Sequence, residues 1–327
     1  MRTQQIERPH LGLRSRTESN QRKFQEVKAM NHSGGVQIFP ETTSRLKGKR
    51  KPVGDPFHPF PKVISVSSGK GGVGKTNVVA NLALAFSQQG KRVCVLDHDL
   101  GAGSLQILLG KDMSYMATRL FESTQEFTDL LIRSPWGVSI LPVSRAILDS
   151  AEREENQKLF LLTELDRLAD QVDILLIDAG AGISSNVLFF NIAAQEMISV
   201  VTPDPTSVIE THAQIKILAT KYLKKEFSIL VNQASDEGEA LRIFEALHGF
   251  DEDFPSSLSL DYMGFVPYDE KISLARQSKK PVLELFPHCP SSRRFKELAE
   301  FFLGKTIRKK GYENVQFFRN HLFRRDN

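Results

Sequence analysis

The chain has 327 residues, with 43 Lys and Arg against 39 Asp and Glu, for a formal net charge of +4. Hydrophobic residues at 40% and charged residues at 25% are ordinary globular proportions and exclude a wholly disordered chain. Two cysteines, Cys94 and Cys289, exclude a disulfide framework and any four-cysteine zinc site within one chain.

The length suits one large domain with extensions, or two small ones. No apolar run approaches the ~18 residues that cross a bilayer. The polar start, Met1-Arg2-Thr3-Gln4-Gln5, lacks the apolar core of a secretion signal. A cytoplasmic location is expected, with at most peripheral attachment to the inner face of the cell membrane. Charge is unevenly spread. Residues 1–62 hold 13 basic and 5 acidic side chains, residues 305–327 hold 7 and 2, and residues 63–304 hold 23 and 32. Binding duplex DNA requires clustered cations that displace phosphate counterions, and the acidic middle has the wrong balance for it. Attraction to anionic lipid or nucleic acid is expected only at the two ends.

In chain order, residues 1–61 read as a basic, disordered extension. They are rich in Arg, Gln, Ser and Thr, and carry the block Arg45-Leu46-Lys47-Gly48-Lys49-Arg50-Lys51. Pro52, Pro56, Pro59 and Pro61 then break any regular element. Within this extension, Asn20 to Met30 could form a short helix on meeting a partner; a plain solvated tether is the alternative reading. From Lys62 the pattern changes. Val63–Ser68 is a strand rich in β-branched residues, followed by a glycine loop and a helix over Asn77–Gln89 that Gly90 ends. Further strands are expected at Arg92–Asp97, Val172–Asp178, Glu196–Thr202, Phe227–Asn232 and Tyr262–Pro267, with helices between them such as Asn156–Asp170 and Ser207–Leu223. Near-continuous apolar strands alternating with helices predict an α/β domain over 62–304. Its sheet should be doubly wound and mainly parallel, with helices on both faces and ligands at the carboxyl ends of the strands.

The loop Gly69-Lys70-Gly71-Gly72-Val73-Gly74-Lys75-Thr76 fits G-x-x-x-x-G-K-[ST] between a strand and a helix. Its glycines let successive backbone N–H groups turn inward around phosphate oxygens. Lys75 supplies charge to the β- and γ-phosphates, the Thr76 hydroxyl is a Mg²⁺ ligand, and the helix N-terminus faces the same anion. The loop also holds a second lysine, Lys70, able to reach outward. Downstream, Asp97 and Asp99 end a strand at i and i+2, on the same side of an extended segment, with His98 facing the other way as packing or surface. Asp178 ends another strand, in Asp178-Ala179-Gly180-Ala181-Gly182, and Asn232 ends a third.

With Lys70 inside it, the loop resembles the deviant P-loop of the MinD/ParA ATPases, and the resemblance covers about 62–304. It implies an ATPase that cycles between an ADP monomer and an ATP-bound homodimer, with ATP and Mg²⁺ as cofactors. By the same resemblance, Lys70 touches the partner subunit's nucleotide, Asp99 orients the attacking water, and Asp97 and Asp178 hold Mg²⁺ through water. The Gly182 N–H senses the γ-phosphate, and Asn232 reads adenine. Gly69 through Asn77 form the nucleotide cradle, with Lys70, Lys75 and Asp99 as the catalytic set. The segments Thr202-Pro203-Asp204-Pro205-Thr206-Ser207, Gly264-Phe265-Val266-Pro267-Tyr268-Asp269, Lys280-Pro281-Val282-Leu283-Glu284 and Pro287 to Arg293 look most like flagellar-number regulators of the MinD type. That branch implies a partner GTPase and flagellar switch proteins. The chain departs from the pattern at Gly101-Ala102-Gly103-Ser104, where the family usually has Gly-x-x-Asn, and it lacks a D-Q-A-x-x-L-R segment near its start.

Tyr312, Val315, Phe318, Leu322 and Phe323 fall within an arc of roughly 140° on a helical wheel. This suits an amphipathic helix at 312–325 on an anionic membrane, though Arg319 lies inside the arc and a helix packed on the domain stays open. A ParA-type partitioning ATPase and an iron–sulfur carrier on the same scaffold are the alternatives. The acidic body speaks against the first, making specific nucleic acid binding unexpected, and the placement of Cys94 inside a strand speaks against the second.

Overall fold

Every residue of β1 (Lys62–Ser68) is buried, as expected of a strand covered on both faces. The computed structural model describes residues 61–98, 131–143, 154–249, 254–255 and 257–304. Residues 1–60 and 305–327, with the expected basic extension and amphipathic tail, lie outside the described residues, as does Asp99.

Around β1 the sheet adds β2 (Val93–Asp97), β3 (Ile132–Arg133), β4 (Ser139–Pro142), β5 (Ile174–Ala181), β6 (Glu196–Val201), β7 (Glu226–Ala234) and β8 (Ser259–Pro267). Their spatial order is β3-β4-β2-β5-β1-β6-β7-β8. All neighbours run parallel except β3 and β4. The helices are α1 (Lys75–Gln88), α2 (Glu154–Arg167), α3 (Ser185–Ala193), α4 (Pro205–Tyr222), α5 (Glu237–His248), α6 (Glu270–Gln277), α7 (Val282–Leu285) and α8 (Pro290–Gly304).

Alternation along the central strands sorts the core into two faces. Ile64, Val66, Val93 and Val95 pack with Leu82 and Phe86 of α1 and with Phe295 and Phe302 of α8. Val63, Cys94 and Leu96 point the other way, against Leu161 and Leu165 of α2 and Phe190 of α3. On that second side Val201, Ile229 and Val231 meet Ile215 and Leu218 of α4. The doubly wound sheet with helices on both faces is therefore observed.

Boundaries differ from the sequence reading in detail. The Asn156–Asp170 helix ends at Arg167 and continues as a 3-10 turn at Ala169–Gln171. The helix expected from Asn77 starts at Lys75, and the last strand starts at Ser259 rather than Tyr262.

Candidate functional site

Helix α1 begins differently from its neighbours. Asp204, Asp236 and Asp269 cap α4, α5 and α6 by accepting from backbone N–H groups two or three residues on, at 2.9, 2.8 and 3.0 Å. The position before α1 is Gly74, in a left-handed conformation at φ 92°, and it makes no side-chain cap. The first N–H groups of α1 are thus left for an external acceptor, and the helix dipole favours an anion there. Gly71 and Gly72 are exposed beside them, while Lys75 is buried. Val73 is buried, and its carbonyl accepts from Asn232 Nδ2 at 2.7 Å. Asn232, at the end of β7, thereby fastens the loop; Asn77, in the first turn of α1, accepts from Asn81 Nδ2 at 2.8 Å.

The strand ends place the oxygen donors. Asp97 of β2 and Asp178 of β5 are register partners, and both are fully buried. Thr76 Oγ1 donates to Asp178 Oδ2 at 2.7 Å. A hydroxyl and a carboxylate in contact at the mouth of an anion cradle are hard oxygen donors of the kind Mg²⁺ takes. The residues present fit that metal. His98 is buried with its ring 4.8 Å from that of Phe190, so it packs as expected.

Lys70 and Gly182 have partners that the sequence did not reveal. The Lys70 ammonium donates to Asp204 and, at 2.6 Å, to Thr206 Oγ1, both at the start of α4. With Lys70 as the largest influence and the Thr206 N–H next, the Asp204 carboxyl is held down to about 2. At the end of β5, the register with β1 shifts between Val66 and Ser68, just before the turn that holds Gly182. Its N–H donates to Ser68 O at 2.9 Å.

Residues 60–303 match the family described as "ParA: NUBPL iron-transfer P-loop NTPase". The chain belongs to the ParA family.

Within that family it is 37% identical over 244 residues to the antiactivator FleN of Pseudomonas aeruginosa, covering 75% of this chain and 86% of FleN. It is 26% identical to the flagellum site-determining protein YlxH of Helicobacter pylori, covering 75% of this chain and 82% of YlxH. The septum site-determining protein MinD of Pyrococcus horikoshii, solved with Mg-ADP, superposes with a TM-score of 0.60 at 22% identity. That superposition covers 76% of this chain and all of that one. In this ParA-family chain the segments after β8 are bound together by hydrogen bonds. Asp269 accepts from the Ser291 hydroxyl at 2.7 Å, and Arg294 Nε donates to Phe265 O at 2.9 Å, tying α8 to the end of β8.

Proposed function

We propose that this chain is an ATP-dependent dimerisation switch of the MinD type that sets the number or placement of flagella. The contact between Thr76 and Asp178 beside the uncapped start of α1 carries the reading. It joins the two residues that would hold Mg²⁺ to a loop suited to phosphates. Bound there, the metal supplies charge neutralisation on the phosphoryl oxygens. Lys75 adds a fixed cation, Asn232 holds the loop and would meet the adenine, and Asp97 backs Asp178 from the neighbouring strand. Asp99 orients the attacking water.

Likeness to FleN and YlxH supports the flagellar assignment. Dimerisation is supported by two exposed apolar side chains close to the site. Ile183, 52% exposed, follows Gly182, and Ile209, 58% exposed, precedes Glu210, whose backbone abuts Gly69. No helix among the described residues is long and apolar enough to cross a membrane. Reversible attachment would fall to 312–325, because one short helix binds weakly and a dimer presents two.

Size-exclusion chromatography with ADP and with ATP tests the switch, on the wild type, Lys70→Ala and Asp99→Ala. Asp99→Ala should accumulate an ATP dimer, and Lys70→Ala should remain monomeric. A wild type that is monomeric with both nucleotides overturns the reading. Removing 312–327 should abolish ATP-dependent co-sedimentation with anionic liposomes.

A further inference from the structure

Gln214, on α4, is fully buried. Its Nε2 donates to Gly182 O at 2.6 Å, to Ser67 Oγ at 3.1 Å and to Ser68 O at 3.2 Å. Ser67 fixes the orientation of this amide. Its hydroxyl donates to Gly180 O at 3.3 Å and accepts from Asn191 Nδ2 at 3.0 Å, so its remaining lone pair accepts the hydrogen bond from Gln214 Nε2. The other end of the same amide, Oε1, has no hydrogen-bond partner among the described residues. A buried, unmatched carbonyl oxygen is unfavourable, and an apolar side chain of this size would avoid it. That cost is offset at the donor end, where Nε2 serves the Gly182 and Ser68 carbonyls that an apolar side chain would leave without this partner.

We infer that Gln214 is a positioning residue that couples Gly182 to helix α4. The inference rests on the proposed role of Gly182 as the γ-phosphate sensor. Gly182 is held at both ends, its N–H on Ser68 O and its C=O on Gln214. These groups belong to consecutive peptide planes hinged at one α-carbon. Swinging the N–H toward a γ-phosphate breaks the bond to Ser68, and because Gln214 ties the second plane to α4, the rotation at the α-carbon is passed to that helix. The N-cap of α4 is Asp204 and its first turn carries Thr206, the cis partners of Lys70. A rigid helix of ten residues spans ~15 Å, so movement at Gly182 reaches the anchor of Lys70 through one element.

The test uses the full chain and an unbranched apolar replacement, Gln214→Met. Affinities for Mg-ADP and for a non-hydrolysable ATP analogue are measured by calorimetry. Hydrogen exchange of 205–214 is followed with each nucleotide. Mg-ADP affinity should stay within about twofold of wild type, since the cradle is untouched, while preference for the ATP analogue falls by about tenfold. The nucleotide-dependent difference in exchange across 205–214, present in the wild type, should vanish in the variant. Equal weakening of both nucleotides with an unchanged ratio would mean a merely structural role and overturn the inference. So would identical exchange of 205–214 in the wild type with either nucleotide, a result that needs no variant to fold. A wild type that binds neither nucleotide overturns the ATPase reading as well; one that binds and dimerises normally, with Gln214→Met indistinguishable, overturns the coupling alone.

Discussion

Lys70 and Asp204, 134 residues apart in sequence, are paired within a single chain. Lys70 is the residue proposed to serve a second subunit, so the same ammonium has two competing destinations. The pair is open to solvent, with 34% of the Lys70 side chain and 42% of Asp204 exposed. Such pairs are weak because water screens them and the ordered side chains lose entropy. The anchor is strong enough to direct Lys70 and weak enough to release it.

Replacing Asp204 with Asn removes the competing charge and keeps some capping ability. The ATP-dependent dimer should tighten by roughly two- to fivefold, the scale of an exposed ion pair, as read by analytical ultracentrifugation. A weaker dimer would place Asp204 across the interface instead. The Asp204 carboxyl is lowered from 3.8 to about 2, so the contact contributes above pH ~4 and is lost only as pH falls through about 2. Between pH 6 and 8 the Asp204 effect should not vary. Raising salt from 0.05 to 0.5 M should erase it, the Debye length falling below about 10 Å.

Thr76 and Asp178 make a different kind of prediction. The two oxygens already touch, so Asp178→Asn alters the donor set without requiring a new fold. Mg²⁺ affinity in the presence of nucleotide should drop by about 10- to 100-fold, the usual effect of losing a group that orients metal ligands. Nucleotide binding measured in EDTA should be nearly unchanged. Equal losses with and without Mg²⁺ would remove the metal role.

Much of this site was legible because its chemistry is local in sequence. Gly69 to Thr76 is contiguous, Asp97 ends β2 and Asp178 lies three residues before the end of β5, and as register partners on adjacent parallel strands they converge. The partners of Lys70, Gly182 and Asn232 were not legible, since each comes from a distant element: Asp204, Gln214 and Val73. No periodicity marks a glutamine that faces a turn across a helix. Strand β4 was missed as a run of only four residues, and its neighbour β3 for a related reason. Strand β3 has two residues, too few for any alternation, and pairs antiparallel to β4 within one short turn. The motif-like segments after β8 were visible as a pattern, but only contacts such as Asp269 with Ser291 give them a structural meaning.

The two cysteines bear on the iron-transfer name carried by the family description. Cys94 is fully buried in β2, and burial pushes its thiol up to about 12. A thiol of that kind is not an available ligand or nucleophile at neutral pH. Cys289 is half-buried, its Sγ 3.2 Å from both Ser291 Oγ and Ser292 Oγ. Titration of the native protein with a thiol reagent at pH 7.5 should count at most one reactive group per chain, and two after denaturation. Two fast-reacting thiols, or a stoichiometric iron content in the purified protein, would revive the carrier reading.

Gly69 tests whether α4 must stay close to the loop. A Cβ built on Gly69 would come within 3.0 Å of the Glu210 carbonyl group and the Thr211 nitrogen, closer than real Cβ atoms approach backbone. These are main-chain atoms inside a helix, and no rotamer change can clear them. Gly69→Ala must therefore shift α4 or the loop, at a cost of about 1–3 kcal/mol for overpacking. That corresponds to a melting temperature lower by roughly 3–10 °C in a domain of this size. Because α4 carries Asp204, Thr206 and Gln214, the shift should also weaken nucleotide binding. Gly71→Ala is the control: a Cβ there meets nothing within 4 Å, so its melting temperature should stay within about 2 °C of wild type. If Gly69→Ala melts with the control, the close approach of loop and helix is not what holds this side of the site together.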